Sequence, residues 1–224
     1  MKIDIITTFP NMFKSPFRES IIKRAQEKKL VKINIHDLRE WTTDKHKTID
    51  DKPFGGGAGM IMKIEPIYRA LNELDKDHKA WRILFTAKGE RIMQEKMREL
   101  SKKDHLILIC GHYEGVDQRV ADHLVDECIS IGDFILTGGE IPAMALTDAV
   151  TRLIPGVLGN EESLKDESFS KEIESGKKYI EYPQYTRPEI FEIQGKKLEV
   201  PKVLLSGNHE EIRKWRDKQS EELN

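Results

Sequence analysis

Leu106-Ile107-Leu108-Ile109-Cys110-Gly111-His112-Tyr113-Glu114-Gly115 begins as an unbroken apolar run and ends in a polar turn. A short run of this kind, closed by glycine, reads as a strand covered on both faces, as strands of a parallel sheet are. Working outward, Ile3–Thr8, Lys32–His36, Arg82–Thr86 and Glu127–Ile131 read as further strands. Met12–Lys28, Glu65–Leu74, Gly89–Lys102 and Asp117–Leu124 between them read as helices. Short strands alternating with longer helices predict an α/β fold. In such sheets ligands bind beyond the C-terminal ends of the strands, where His112, Tyr113 and Glu114 fall. A plain β–α turn explains these residues equally well.

Composition sets the outer limits. The 224 residues allow one large domain, or one domain with a smaller companion. A hydrophobic share of 38% supplies a core, so global disorder is not expected. No apolar run approaches the roughly 18 residues needed to cross a membrane. Met1–Ile6 carries an acid within its apolar run and lacks a small-residue cleavage site, so it reads as a first strand and not a signal peptide. Cys110 and Cys128 form no CxxC pair, which suits a reduced, cytoplasmic compartment. The formal net charge of -2 does not advertise a nucleic-acid binder. Phosphate contacts would have to come from local clusters such as Lys45–Lys47–Lys52 or Arg213–Lys214–Arg216–Lys218, which on composition alone are ordinary solvated charge.

Two more stretches stand out. Gly55-Gly56-Gly57-Ala58-Gly59 follows Asp50-Asp51-Lys52-Pro53-Phe54. So many glycines cost backbone entropy and suggest close approach by a ligand or another backbone, although a flexible loop would look the same. No Gly-Lys-Ser/Thr follows, so it is not a P-loop. Ser130-Ile131-Gly132-Asp133-Phe134-Ile135-Leu136-Thr137-Gly138-Gly139-Glu140 leads into Ile141-Pro142-Ala143, with Pro142 suited to the first turn of a helix. Arg152 lies near that helix's end, where a cation also complements the dipole. From Gly159 the pattern changes. Glu161–Lys178 is polar and reads as a mobile linker, and Asn208 with Glu211 three residues on reads as a helix start. Domains are therefore expected at 1–160 and 179–224, joined by a linker at 161–178.

Each signal alone is weak. In this order, together with Arg152-Leu153-Ile154-Pro155-Gly156-Val157-Leu158-Gly159, Tyr185-Thr186-Arg187-Pro188 and Val203-Leu204-Leu205-Ser206-Gly207-Asn208-His209, they resemble one family. It is the bacterial tRNA (guanine-N1)-methyltransferases of the trefoil-knot (SPOUT) superfamily. The resemblance runs to about Ser220.

The resemblance implies an α/β domain with a deep trefoil knot and parallel sheet, followed by a small, mainly helical C-terminal domain that binds tRNA. It implies S-adenosylmethionine as methyl donor, contacted by Gly111 and by Ile131, Gly132, Asp133, Phe134, Ile135 and Leu136. Gly138 and Gly139 should lie close by, with Thr86 and Glu114 bordering the site. It implies a homodimer, no membrane association, and a tRNA substrate with guanosine 3′ to the anticodon. Use of Mg²⁺ is a family trait, with Glu114 and Glu167 as contributors, but no ligand cage is legible. Arg152 is the implied cation near guanine O6. The family's general base is an aspartate just before a Ser-Phe pair, and here the chain reads Lys165-Asp166-Glu167-Ser168-Phe169. Counting from Arg152 places Glu167 at the base position, with Asp166 beside it. Two other readings are a knotted methyltransferase with a different RNA target and an RNA-binding relative without catalysis.

Overall fold

The computed structural model describes residues 1–159, 167–170, 172–173, 177–220 and 222–223. The chain divides into two compact units, Met1–Gly159 and Asn160–Asn224. The first unit runs β1 (Lys2–Thr7), α1 (Ser20–Glu27), β2 (Lys32–Asp37), β3 (Asp50–Asp51), β4 (Ile61–Met62), α2 (Ile64–Leu74), β5 (Trp81–Arg91), α3 (Gln94–Leu100), β6 (His105–Cys110), α4 (Gln118–His123), β7 (Glu127–Ser130) and α5 (Glu140–Thr151). Five of the strands form one wholly parallel sheet in the order β2-β1-β6-β5-β7. This is the α/β architecture expected.

The apolar run of β6 shows why the sheet is buried twice. Leu106, Leu108 and Cys110 join one core with Ile22 and Ala25 of α1, Met97 and Leu100 of α3, and Ala143, Leu146 and Val150 of α5. Ile107 and Ile109, pointing the other way, join a second core with Ile67, Ala70 and Leu71 of α2 and Val120 of α4. Alternate residues of one strand thus feed opposite layers, as the period of 2 requires.

Two helix boundaries differ from expectation. Met12–Lys28 is not one helix. Two 3₁₀ turns, Pro10–Phe13 and Pro16–Arg18, precede α1. Pro16 has no N–H to donate and cannot sit inside a continuous helix. The helix expected from Gly89 begins only at Gln94, because β5 bulges. Phe85 and Glu90 both pair with Ile129, so the residues between them loop out and the strand resumes. At Gly89 the approach is tight: a Cβ would stand 2.5 Å from the Ile129 backbone nitrogen.

One polar group at the heart of the sheet escaped the sequence reading. Asp4 of β1 is fully buried. Its carboxylate accepts from Asn34 Nδ2 (2.7 Å), His36 Nε2 (2.8 Å) and His105 Nε2 (2.7 Å), and pairs with Lys2 Nζ at 2.7 Å. Burial alone would raise its pKa. The hydrogen bonds from His36, Lys2, Asn34 and His105 outweigh burial and hold the carboxyl well below the usual carboxylate range.

The second unit contains helices α6 (Lys202–Leu205) and α7 (His209–Gln219), together with strands the sequence reading did not assign. These are β8 (Glu172–Ile173), β9 (Lys177–Tyr179), the antiparallel pair β10 (Ile190–Ile193) and β11 (Lys196–Glu199), and β12 (Glu222–Leu223) on β9. Asn208 caps α7 as expected, its Oδ1 accepting from the N–H groups of Glu210 and Glu211. The Asn208 N–H donates to Ser206 Oγ (3.1 Å), a role the capping-box reading gave to Glu211. Of the expected linker 161–178, residues 161–166, 171 and 174–176 lie outside the described residues.

Candidate active site

Three stretches far apart in sequence meet beyond the C-terminal ends of β5, β6 and β7. The Gly139 N–H donates to the Gly111 carbonyl at 2.8 Å, and His112 and Gly138 form an antiparallel bridge. This joins the turn after β6 to the loop before α5. The glycine loop closes from the other side. Glu114 N–H donates to the Met60 carbonyl (3.1 Å), Met62 N–H to the Gly115 carbonyl (2.9 Å) and Asp117 N–H to the Met62 carbonyl (3.0 Å). Gly59 lies against Glu114 with φ +78, and a Cβ there would stand 2.3 Å from Glu114 Cγ. The positive φ is what favours glycine here, since the Glu114 side chain could move aside.

These contacts frame a cleft of about 1330 Å³. Thr86, Gly111, Glu114, Ile131, Gly132, Phe134, Ile135, Leu136, Gly138 and Gly139 all line it. Asp133 does not. Its side chain is 89% exposed and pairs with Arg91 at 3.5 Å. Phe134 and Ile135 are exposed apolar side chains at the cleft.

Met62 and Cys128, which nothing in the sequence placed at a site, also line the cleft, as do His112 and Pro142, the latter expected only as a helix start. His112 sits inside a quoted motif, and the signal was its position at a strand's end. Cys110, the last residue of β6, is a core residue: burial pushes its thiol well up, and the nearby Glu140 charge adds to this. Among the described residues no group of three or more His, Cys, Asp or Glu side chains is arranged to hold a metal ion. No helix among them is long and apolar enough to cross a membrane.

A family model, described as tRNA (Guanine-1)-methyltransferase TrmD, matches residues 1–223. This chain belongs to that family. It is 55% identical over 220 residues to a protein of Carboxydothermus hydrogenoformans, covering 98% of this chain and 83% of the relative. It is 54% identical over 220 residues to one of Dictyoglomus turgidum (98% and 85%). It is 51% identical over 219 residues to one of Staphylococcus aureus (98% and 85%). All three relatives are named tRNA (guanine-N(1)-)-methyltransferase.

For a member of the TrmD family, the positions of the catalytic candidates matter most. Arg152 is the C-cap residue of α5 and does not line the cleft. Pro142, near the start of the same helix, does. Ten residues of helix between them span about 15 Å. Glu167 belongs to the second unit and opens a turn closed by the Ser170 N–H on the Glu167 carbonyl at 3.0 Å. Phe169 in that turn holds φ +67, a left-handed conformation that costs a non-glycine residue energy. Its N–H donates to the Tyr179 carbonyl (2.7 Å), while Ser168 Oγ accepts from Glu181 N–H (3.1 Å). Glu167 is thus built into a turn anchored to the chain around Tyr179. Asp166 lies outside the described residues.

Proposed function

We propose that this chain transfers a methyl group from S-adenosylmethionine to N1 of the guanosine at tRNA position 37, 3′ to the anticodon. The observation that carries this reading is the 51–55% identity, over 98% of this chain, to relatives that bear the guanine-N1 methyltransferase name. The family resemblance further implies a knotted chain and a homodimer, and the cysteine usage suits a cytoplasmic setting; the proposal includes all three.

The cleft suits the methyl donor. Gly138 and Gly139 leave backbone within reach of a ligand, and Ile131 and Leu136 offer apolar surface to an adenine. Glu114 brings a carboxylate to a ligand that carries two positive charges. When bound, S-adenosylmethionine supplies a methyl group already activated on a sulfonium. The chain's own residues then have three tasks. The cleft aligns the reacting atoms. Glu167 accepts the N1 proton of guanine, which is present at neutral pH. Arg152 places a positive charge beside O6 and stabilises the negative charge that develops on the base. Among the described residues no cluster of acids is arranged to hold Mg²⁺.

The resemblance implies that each active site draws on both subunits, so we assign the cleft to one copy and Glu167, in the second unit, to the other. A direct test supplies isotope-labelled donor and an unmodified tRNA transcript. The expected result is label in 1-methylguanosine after nuclease digestion. Label in another nucleoside, or none, overturns the proposal.

A further inference from the structure

Beneath the cleft lies a buried polar network that the mechanism above does not use. Glu140, the first residue of α5, is 2% exposed. Its Oε1 accepts from the Thr7 hydroxyl at 2.8 Å, across 133 residues of sequence. That is its one side-chain hydrogen bond among the described residues. A carboxylate has about four acceptor sites, and burying one so sparsely satisfied is expensive. The helix N-terminus offsets part of this cost. The remaining oxygen, Oε2, lies 3.9 Å from His112 Nδ1. That nitrogen is itself buried and has no hydrogen-bond partner among the described residues. Two unsatisfied groups of complementary chemistry therefore face each other, and an approach of about 1 Å would satisfy both.

The surroundings hold this arrangement in place. Thr7 Oγ1 accepts from the Phe9 N–H at 2.9 Å while donating to Glu140. Phe9 in turn packs on the His112 ring, centroids 4.8 Å apart, and Tyr113 meets the same ring edge-on at 5.1 Å. Gly138 completes the fit, because a Cβ there would stand 2.4 Å from Glu140 Oε2 and 2.5 Å from His112 Nδ1. His112 lines the cleft.

We propose that Glu140 is a positioning residue that fixes His112 as the Nδ1–H tautomer, so that Nε2 presents a lone pair to a hydroxyl or N–H donor of the bound methyl donor. A histidine's free nitrogen takes its role from the hydrogen bond made by the other one. The inference rests on the reading of this cleft as the S-adenosylmethionine site.

Two measurements on the full-length protein test it. The first is ¹⁵N NMR of the imidazoles, at a pH where His112 is neutral, in wild type and Glu140→Gln. Wild type should show His112 as a single Nδ1–H tautomer, and the variant a mixture. An unchanged tautomer in Glu140→Gln contradicts the proposal. The second is calorimetric binding of S-adenosylmethionine to Glu140→Gln, His112→Ala and the double variant. Each single change should weaken binding roughly five- to tenfold, about the worth of one hydrogen bond. The double variant should lose no more than either single, because both remove the same contact. Losses that multiply, or no loss from His112→Ala, overturn the proposal. A wild-type protein that binds no donor would instead sink the reading of the cleft, while the tautomer result would still decide whether Glu140 governs His112.

Discussion

Gly139 sits so close to Cys110 that a Cβ on it would stand 2.7 Å from the Cys110 Cα and 2.9 Å from the Gly111 nitrogen. Both contacts are backbone, at the C-terminal end of β6. A Cβ on Gly132 would meet the Phe134 ring first, at 2.4 Å, and a ring can turn aside. The two glycines of one loop therefore serve different ends. Gly139→Ala should destabilise the fold by about 1–3 kcal/mol, the usual cost of overpacking. Gly132→Ala should change stability by less than about 1 kcal/mol, yet weaken S-adenosylmethionine binding as Phe134 is displaced within the cleft. Chemical unfolding paired with calorimetry checks both. Equal stability losses in the two variants would contradict the assignment.

Asp4 gives a prediction with a definite pH sign. Its folded pKa is depressed, so its contribution is complete above the unfolded value of about 4 and is lost as pH falls through the folded one. Asp4→Asn leaves two histidines and a lysine facing an uncharged amide. It should cost about 3 kcal/mol at pH 7, as breaking a buried ion pair does. The gap in melting temperature between wild type and variant should narrow at pH 3 and below. A gap that widens under acid would show that Asp4 is not the stabilising centre.

Glu167 and Asp166 make a matched pair for the general base. Glu167→Gln should lower the single-turnover rate by roughly 10²–10⁴, with donor binding nearly unchanged. Asp166→Asn should have a far smaller effect. Rapid-quench assays on both variants check this, and the reverse ranking would move the base to Asp166.

The legible and illegible parts of the structure divide along physical lines. All five strands of the main sheet could be read, because burial on both faces leaves near-continuous apolar runs in β1 and β6. The bulge in β5 was illegible. Thr86-Ala87-Lys88-Gly89 carries no periodicity, and only the pairing of Ile129 with both Phe85 and Glu90 reveals it. The Asp4 cluster was illegible because His36 and His105 look like isolated polar residues until the sheet sets them beside β1. The strands β10 and β11 are short and exposed throughout, so no buried face marks them. At the site, the glycines and apolar residues were found through the family resemblance. Thr7 and Glu140 were passed over, since their partnership spans the whole first unit.

The division of labour between two copies predicts complementation. Gly132→Val chains and Glu167→Gln chains should each be poorly active alone. Mixed dimers should regain activity, because one combination pairs an intact cleft with an intact Glu167. Co-expression with two affinity tags isolates the mixed dimers. Mixed dimers no more active than the single variants would contradict the assignment.

Methyl transfer to two tRNA transcripts that differ only in the base at position 37 tests the central claim most directly. With guanosine there, the protein and S-adenosylmethionine should give one methyl group per tRNA, located at N1. With adenosine at the same position, incorporation should fall to background. Equal methylation of both transcripts, or a methyl group at any other nucleotide, would contradict the account.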